Sequence, residues 1–410
     1  MEVVDPDLED DNQWTGVEEG IDDPEEIRVI FCALDSFSQY AKTAHLNCTH
    51  FRRQAFYALP QEHWQMLAEP PFSYLDVLNR VDDAIDSNAE LARIIVKFGL
   101  RSFGVLEGVS EAELNMPAEW SGIAKYNDLD KARSTIRQFY RDWSAEGAVE
   151  RNACYDPIFR ALGVEKTRYP DRQQMKILVP GAGLGRLVYD LCRKGFHAEG
   201  NEISYHQLLA SSYILNSTER AGQHTIYPWI HSFSNHRSRE NQFKSYKIPD
   251  IHPQTTLAET QGIGSMQMCA ADFLCLYGDE GHQDAYDAVA AVFFLDTAPN
   301  LIRYLEVIKS CLRPGGVLIN VGPLLWHFEN QVPGHHGYDG DGDYDPNISL
   351  GIADPGSFEL TDDEVVALVE RVGFVLEKRE MGLRAPYVQD ENSMLETVYK
   401  ASHWVARKPE

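Results

Sequence analysis

Apolar residues recur at steps of three and four over the first third of the chain. In the stretch YLDVLNRVDDAIDSNAELARIIVKFGL, the Leu, Val, Ile and Phe residues form one stripe, and acidic residues occupy the opposite face. This spacing predicts amphipathic helices, because one helical turn takes 3.6 residues. Since no strand-like run interrupts the pattern, we expect an N-terminal helical unit over residues 27–150.

From residue 176 onward, short apolar runs alternate with helical segments. The runs MKILVP, FHAEGNEIS, SMQMCAADF, YDAVAAVFFLD and GGVLINVG predict strands, and FVLEKREMG and YKASHWVARKP predict two more near the end of the chain. Such alternation indicates βαβ units and a parallel sheet. Residues 151–410 are therefore predicted to form an α/β domain with a doubly wound sheet.

Two acidic segments stand outside this pattern. Residues 1–26 carry twelve acids and no base, so we expect a disordered acidic tail. Residues 331–357 are expected to form an inserted acidic loop, and they contain the sequence DGDGDYD. A calcium loop would have glycine at Tyr344 and glutamate at Leu350, so no metal site is predicted.

The composition limits the classes of partner. The chain has 37 Lys and Arg against 63 Asp and Glu, a net charge of -26. Nucleic acids and anionic membranes attract basic surfaces, so neither is an expected partner. Seven scattered cysteines without a C-x-x-C pair, and no apolar leader, favour a cytoplasmic location with the nucleus as an alternative. The apolar stripes of the helical unit are compatible with a homodimer.

The sequence GAGLGR at residues 181–186 follows a predicted strand and opens a predicted helix. A dinucleotide-binding loop has its third glycine one residue later, where this chain has Arg186. A G-x-G-x-G loop also suits S-adenosylmethionine, because the backbone must approach a methionine moiety and a ribose. The loop by itself leaves a nicotinamide dinucleotide and S-adenosylmethionine equally favoured.

The following strands favour S-adenosylmethionine. Glu202 ends the second predicted strand, where a carboxylate can accept hydrogen bonds from both ribose hydroxyls. Asp272 and Phe273 end the third, where the acid can bind an adenine amino group and the ring can stack. A surface position for Glu202 and a helix cap at Asp272 are the structural alternatives. Many class I methyltransferases have an acid at the position of Val179, so other residues must hold the methionine end of the cofactor.

Several longer stretches resemble the carnosine N-methyltransferase family. They are IRQFYRDWS, RNACYDPI, ILVPGAGLGRL, GNEISYHQLL, YPWIHSFSN, FFLDTAPN, INVGPLLWHFEN and VARKP, in order from about residue 125 to the C-terminus. The resemblance implies a Rossmann-like class I methyltransferase fold that binds S-adenosyl-L-methionine, with the helical unit contributing to the cofactor site.

The resemblance also implies individual site residues. Those expected to bind the cofactor are Gln138, Arg141, Gly181, Gly183, Glu202, Asp272, Phe273 and Val292. Those expected to bind the substrate are Asp296, His327, Tyr387 and Tyr399, of which Asp296 and His327 are the predicted catalytic residues. The alternatives are a surface salt bridge of Arg141 with Asp142 or Asp130 and ordinary packing for the histidine and tyrosines.

The implied reaction is methylation of the imidazole ring of carnosine, on the nitrogen nearest the side-chain stem, to give anserine. In this interpretation Asp296 accepts a hydrogen bond from the far ring N–H, and His327 orients the ring. The expected partner is a small imidazole dipeptide. A protein or peptide histidine methyltransferase is the alternative, and a nicotinamide-dependent oxidoreductase or a binding module without activity is less favoured.

Overall fold

The computed structural model describes residues 24–103, 120–172, 174–330, 351–354 and 356–410. DGDGDYD and most of the predicted acidic tail and inserted loop lie outside these residues. The first described helix begins at Pro24, so its first three residues belong to the segment predicted as a tail.

Helices account for the described N-terminal part of the chain, as the apolar spacing predicts. They are α1 (Pro24–Ser38), α2 (Tyr40–His45), α3 (Phe51–Tyr57), α4 (Gln61–Ala68), α5 (Tyr74–Ser102), α6 (Tyr126–Trp143) and α7 (Ala148–Arg168), with a π-helical turn at Leu46–His50 between α2 and α3. In α5 the buried residues Val77, Leu78, Val81 and Ile85 follow the helical period. The predicted boundary at residue 150 falls in the first turn of α7, and the division into domains remains a prediction.

The remainder of the chain forms strands and helices in alternation. The strands are β1 (Lys176–Pro180), β2 (His197–Glu202), β3 (His224–Ile226), β4 (Tyr246–Ile248), β5 (Ser265–Ala270), β6 (Tyr286–Val292), β7 (Leu312–Gly322), β8 (Val375–Pro386) and β9 (Val398–Arg407). The helices are α8 (Arg186–Arg193), α9 (Tyr205–Asn216), α10 (Arg239–Gln242), α11 (Pro253–Glu259), α12 (Phe273–Tyr277), α13 (Leu301–Cys311) and α14 (Asp362–Val372).

Seven strands form one sheet in the order β5-β2-β1-β6-β7-β9-β8. The strands from β5 to β7 are parallel, and β9 pairs antiparallel with both β7 and β8. The strand order reverses between β1 and β6, which is the topological switch point of a doubly wound sheet. The predicted α/β fold class is confirmed. The short β3–β4 hairpin was not predicted.

Both faces of the sheet are covered. Along β1, Ile177 and Val179 pack in the core that contains α7 and α8, while Leu178 packs in the core that contains α13 and α14. Residues of α1, α5, α6 and α9 share a third core with the β3–β4 hairpin. The helical unit therefore rests on the sheet layer through α9. No helix among the residues that the structure describes is long and apolar enough to span a membrane.

The end of α6 is joined directly to the glycine loop that follows β1. The indole N–H of Trp143 donates to the carbonyl oxygen of Leu184 at 3.0 Å, and Trp143 is fully buried. This contact brings the last turns of α6 over the carboxyl ends of the central strands. Any side chain on the facing side of α6 is thereby brought to the place where doubly wound sheets bind their ligands.

Candidate active site

A cavity of about 820 Å³ opens at the carboxyl ends of β1, β2, β5 and β6, within the range of small-molecule sites. Ten of the twelve predicted site residues line it: Gln138, Arg141, Gly181, Gly183, Glu202, Asp272, Phe273, Val292, His327 and Tyr387. Asp296 and Tyr399 do not. The helical unit and the sheet both contribute walls, so neither would form this cavity alone.

The glycine loop needs glycine for its backbone conformation. Gly181, Gly183 and Gly185 have φ values of 65°, 58° and 74°, in the left-handed region that side chains disfavour. A Cβ atom on Gly181 would also lie 3.0 Å from the ring of Phe294, and one on Gly183 would lie 2.8 Å from the Gln207 side-chain oxygen. The loop therefore presents bare backbone to the cavity.

Glu202 is buried at the end of β2, so the surface alternative is wrong. Its Oε2 accepts a hydrogen bond from the Gly183 N–H at 2.9 Å, and its Oε1 accepts from the N–H groups of Ile203 and Ser204 at 2.9 and 2.8 Å. Burial raises the pKa of the Glu202 carboxyl, and the three N–H groups oppose that rise. These bonds fix the carboxylate against the glycine loop.

Asp272 is the N-cap of α12 and also lines the cavity. Its Oδ1 accepts from the N–H groups of Leu274 and Cys275 at 2.8 and 3.1 Å, and its Oδ2 accepts from the Ile352 N–H at 2.8 Å. The capping alternative is thus correct, and it coexists with the predicted position at the site. The neighbouring Phe273 ring stacks on Tyr304, with centroids 5.5 Å apart, which makes an aromatic surface beside the carboxylate.

Arg141 and Gln138 lie one turn apart on α6 and both face the cavity. The Arg141 guanidinium donates from Nε and Nη2 to the two carboxylate oxygens of Asp142, at 2.7 and 2.9 Å. The salt bridge weighed as an alternative is therefore present, and it orients a guanidinium that lines the cavity. The Gln138 side-chain oxygen is buried, and no described residue donates a hydrogen bond to it.

Asp296 lies behind the wall of the cavity rather than on it. Its carboxylate is buried, and Oδ2 accepts from the Leu325 N–H at 2.9 Å. Its backbone oxygen accepts from the His327 N–H at 3.2 Å, and the His327 side chain lines the cavity. Burial raises the pKa of Asp296, while the Leu325 N–H and the charge of His327 favour the ionised form. The two predicted catalytic residues are adjacent, but only His327 borders the cavity.

Three aromatic rings form a cluster at the end of the cavity that is predicted to bind the substrate. The ring centroids of Tyr387 and Tyr399 lie 5.4 and 5.7 Å from that of Phe293, and 6.0 Å from each other. Phe293 and Tyr387 line the cavity, and Tyr399 packs behind them. Within the described ranges, no group of three or more His, Cys, Asp or Glu residues could hold a metal ion.

Comparison with known proteins identifies the family. A family model described as carnosine N-methyltransferase matches residues 118–410. A Schizosaccharomyces pombe protein named carnosine N-methyltransferase is 35% identical over 390 residues, which cover 94% of this chain and 97% of that one. The chain belongs to the carnosine N-methyltransferase family. The predictions of this family and of a methyltransferase enzyme are confirmed.

One further relative of the methyltransferase has the same name, and one solved structure has a weak similarity. Mus musculus carnosine N-methyltransferase is 33% identical over 380 residues, which cover 92% of this chain and 85% of that one. Among solved structures, an S-adenosylmethionine-dependent methyltransferase of Methanosarcina mazei matches with a TM-score of 0.33 and 15% identity, over 58% of this chain and 93% of that one.

Sequence reasoning missed the role of Arg186 in the methyltransferase. Its buried guanidinium donates from Nη1 and Nη2 to the Asp250 carboxylate at 2.7 and 3.1 Å, from Nη1 to the Asp142 carbonyl at 3.0 Å, and from Nε to Asp190 at 3.1 Å. Arg151 donates to the same Asp250 carboxylate at 2.7 Å. Arg186 thus links the glycine loop to the end of α6. The departure from the dinucleotide pattern marked this residue, but nothing local pointed to Asp250.

Proposed function

We propose that this methyltransferase transfers the methyl group of S-adenosyl-L-methionine to the imidazole ring of carnosine, on the nitrogen nearest the side-chain stem, and so forms anserine. Related histidine-containing dipeptides are included in the proposed range. The observation that carries the proposal is one cavity whose walls hold the expected cofactor residues together with His327 and Tyr387. The names of the relatives support the same substrate.

The lining of the cavity fits the cofactor. The methionine part of S-adenosylmethionine carries an ammonium and a carboxylate, and this chain has Val179 where an acid is common. The buried, unpartnered Gln138 oxygen offers an acceptor for the ammonium. Arg141 offers Nη1 for the carboxylate, since the bonds to Asp142 use its other two nitrogens.

The rest of the cofactor would lie along the strand ends. Glu202 is held in place by three N–H groups, two on Oε1 and one on Oε2, so Oε2 keeps a lone pair for a ribose hydroxyl. Asp272 and the Phe273 ring suit an adenine amino group and base face. The bare backbone of Gly181 and Gly183 lets the cofactor approach closely.

S-adenosylmethionine supplies an electrophilic methyl group on a sulfonium. A neutral imidazole already has a nitrogen lone pair near pH 7, so the protein needs no strong base. It must hold the correct tautomer at attack distance. The Phe293 and Tyr387 rings form a wall suited to a flat imidazole, and we assign the role of orienting it to His327, which also lines the cavity.

The position of Asp296 modifies its proposed role. The carboxylate lies behind the wall beside His327, and the Leu325 N–H favours its ionised form against the effect of burial. We assign this ionised form the role of stabilising the imidazolium formed by methyl transfer. This is the part that a buried aspartate plays toward a histidine in a hydrolase triad.

Mass spectrometry of reaction products tests the proposal. The purified protein is incubated with S-adenosylmethionine and, separately, carnosine, other imidazole dipeptides, free histidine and histidine-containing peptides. A dipeptide product methylated on the stem-side imidazole nitrogen is the expected result. Cofactor binding without any dipeptide product would overturn the substrate assignment, and a methylated peptide would favour a protein histidine instead. Reactions without protein and without cofactor are the controls.

A further inference from the structure

Two large apolar residues at the substrate end have left-handed backbone conformations. Phe293 has a φ of 53° and Val388 a φ of 46°. Such values are strained for a residue with a bulky or β-branched side chain, and strain of this kind persists only where the surrounding structure holds it. Both residues adjoin Tyr387: the Phe293 ring contacts the Tyr387 ring, and Val388 follows Tyr387 in the chain. The two strained residues are therefore neighbours of one side chain that lines the cavity, Tyr387.

Val388 is held from two helices. Its N–H donates to Glu150 Oε2 at 2.7 Å, and the N–H of Gln389 donates to Glu150 Oε1 at 2.6 Å. Its carbonyl oxygen accepts from Arg137 Nη2 at 3.0 Å. Glu150 is in the first turn of α7 and only 4% exposed, and Arg137 is on α6. The backbone N–H and carbonyl groups of Val388 are both bound to charged side chains, which make the stronger hydrogen bonds.

We propose that Glu150 and Arg137 are positioning residues for the methyl acceptor. By holding Val388 they set the place of the Tyr387 ring, which contacts Phe293 on the substrate side and lies 5.2 Å from the Arg141 guanidinium on the cofactor side. The role in substrate binding rests on the proposed function. Displacement of such a wall by about 1 Å is enough to reduce turnover strongly.

The chemistry of the contact requires a carboxylate. Each Glu150 oxygen accepts one N–H, so a glutamine at this position would direct its own N–H₂ group at one of the two donors. Glu150→Gln should therefore release one of the two amides. Glu146 is exposed and precedes Glu150 by four residues, so Glu146→Gln is a matched control.

Steady-state kinetics with carnosine is the first test. We expect Glu150→Gln to raise KM for carnosine and to lower kcat/KM by about tenfold or more. The Kd for S-adenosylmethionine, from calorimetry, should stay within about threefold, and Glu146→Gln should match the wild type within about twofold. If kcat/KM of Glu150→Gln equals that of the control, the proposal is overturned.

A second substitution separates positioning from direct contact with the substrate. Glycine adopts a positive φ without strain, so in a Val388→Gly background Glu150→Gln should lower kcat/KM by no more than about twofold. An undiminished loss in that background would overturn the positioning role. Should Glu150→Gln fail to fold, Arg137→Met removes the bond to the Val388 carbonyl and takes its place in the same comparison.

Hydrogen exchange makes the test independent of the substrate. In Glu150→Gln, and not in Glu146→Gln, the amides of Val388 and Gln389 should exchange at least about tenfold faster. Unchanged exchange at both amides would overturn the proposal. If the wild type does not methylate carnosine, the proposed function fails, and the exchange result alone decides whether Glu150 holds this segment.

Discussion

Arg186→Met should destabilise the protein, because it removes the hydrogen bonds that link the glycine loop to the end of α6. The substitution keeps an apolar stem against the Trp143 ring, over which the guanidinium lies at 4.9 Å, and removes the charged group. Asp250 then loses two of its three arginine hydrogen bonds while its side chain stays 9% exposed. The change tests whether this buried network supports the fold.

The expected loss follows from the partners that remain. Removing one member of a buried ion pair costs about 3–5 kcal/mol, because the other charge is left without compensation. Arg151 still donates to Asp250 at 2.7 Å, so we expect the lower end, about 3 kcal/mol in the free energy of unfolding.

Urea unfolding followed by circular dichroism measures this loss, with Arg384→Met as the control. Arg384 pairs with Glu396 on the surface, with both side chains more than 60% exposed, and such pairs contribute about 1 kcal/mol or less. A loss for Arg186→Met no larger than that of the control would refute the reasoning and leave Arg186 a minor contributor to stability.

Three further outcomes are expected. Asp296→Asn should lower kcat by about a hundredfold with an unchanged Kd for S-adenosylmethionine, because the stabilising charge is lost; normal turnover in a methyl-transfer assay would remove Asp296 from the mechanism. Arg141→Ala should raise the Kd for S-adenosylmethionine, measured by calorimetry, at least about tenfold. An unchanged Kd would show that Arg141 on α6 does not contribute to cofactor binding. Burial lowers the pKa of His206 to about 4, so the unfolded chain binds a proton at a higher pH than the folded one. Protonation of His206 in the unfolded chain should therefore lower the free energy of unfolding by about 2 kcal/mol between pH 7 and pH 5. In urea unfolding at both pH values, this decrease should be about 2 kcal/mol smaller for His206→Gln than for the wild type. An equal decrease in the two proteins would contradict the assignment.

The local parts of the site could be predicted from the sequence. The glycine loop and the acids at the ends of β2 and β5 follow apolar runs, and the parallel order of the strands brings such positions to one edge. The structure places Gly181, Glu202 and Asp272 on one cavity for this reason. Their roles toward the cofactor remain predictions.

The position of Asp296 could not be predicted in the same way. The sequence places it just beyond β6, and whether its carboxylate faces the cavity depends on the short turn Leu295–Thr297 and on Leu325, which follows β7. Tyr399 is a similar case, because Phe293 and Tyr387 lie between it and the cavity. These placements depend on how neighbouring loops pack.

The sequence by itself determined the N-terminal helices, the seven strands of the main sheet and the glycine loop, because periodicity and left-handed backbone are properties of adjacent residues. Only the tertiary structure decided which distant residues support the site. Arg186 meets Asp250 across 64 positions, and Glu150 meets Val388 across 238. Such pairs form because tertiary packing brings segments that are distant in the sequence together, and no local pattern in either segment encodes the partner.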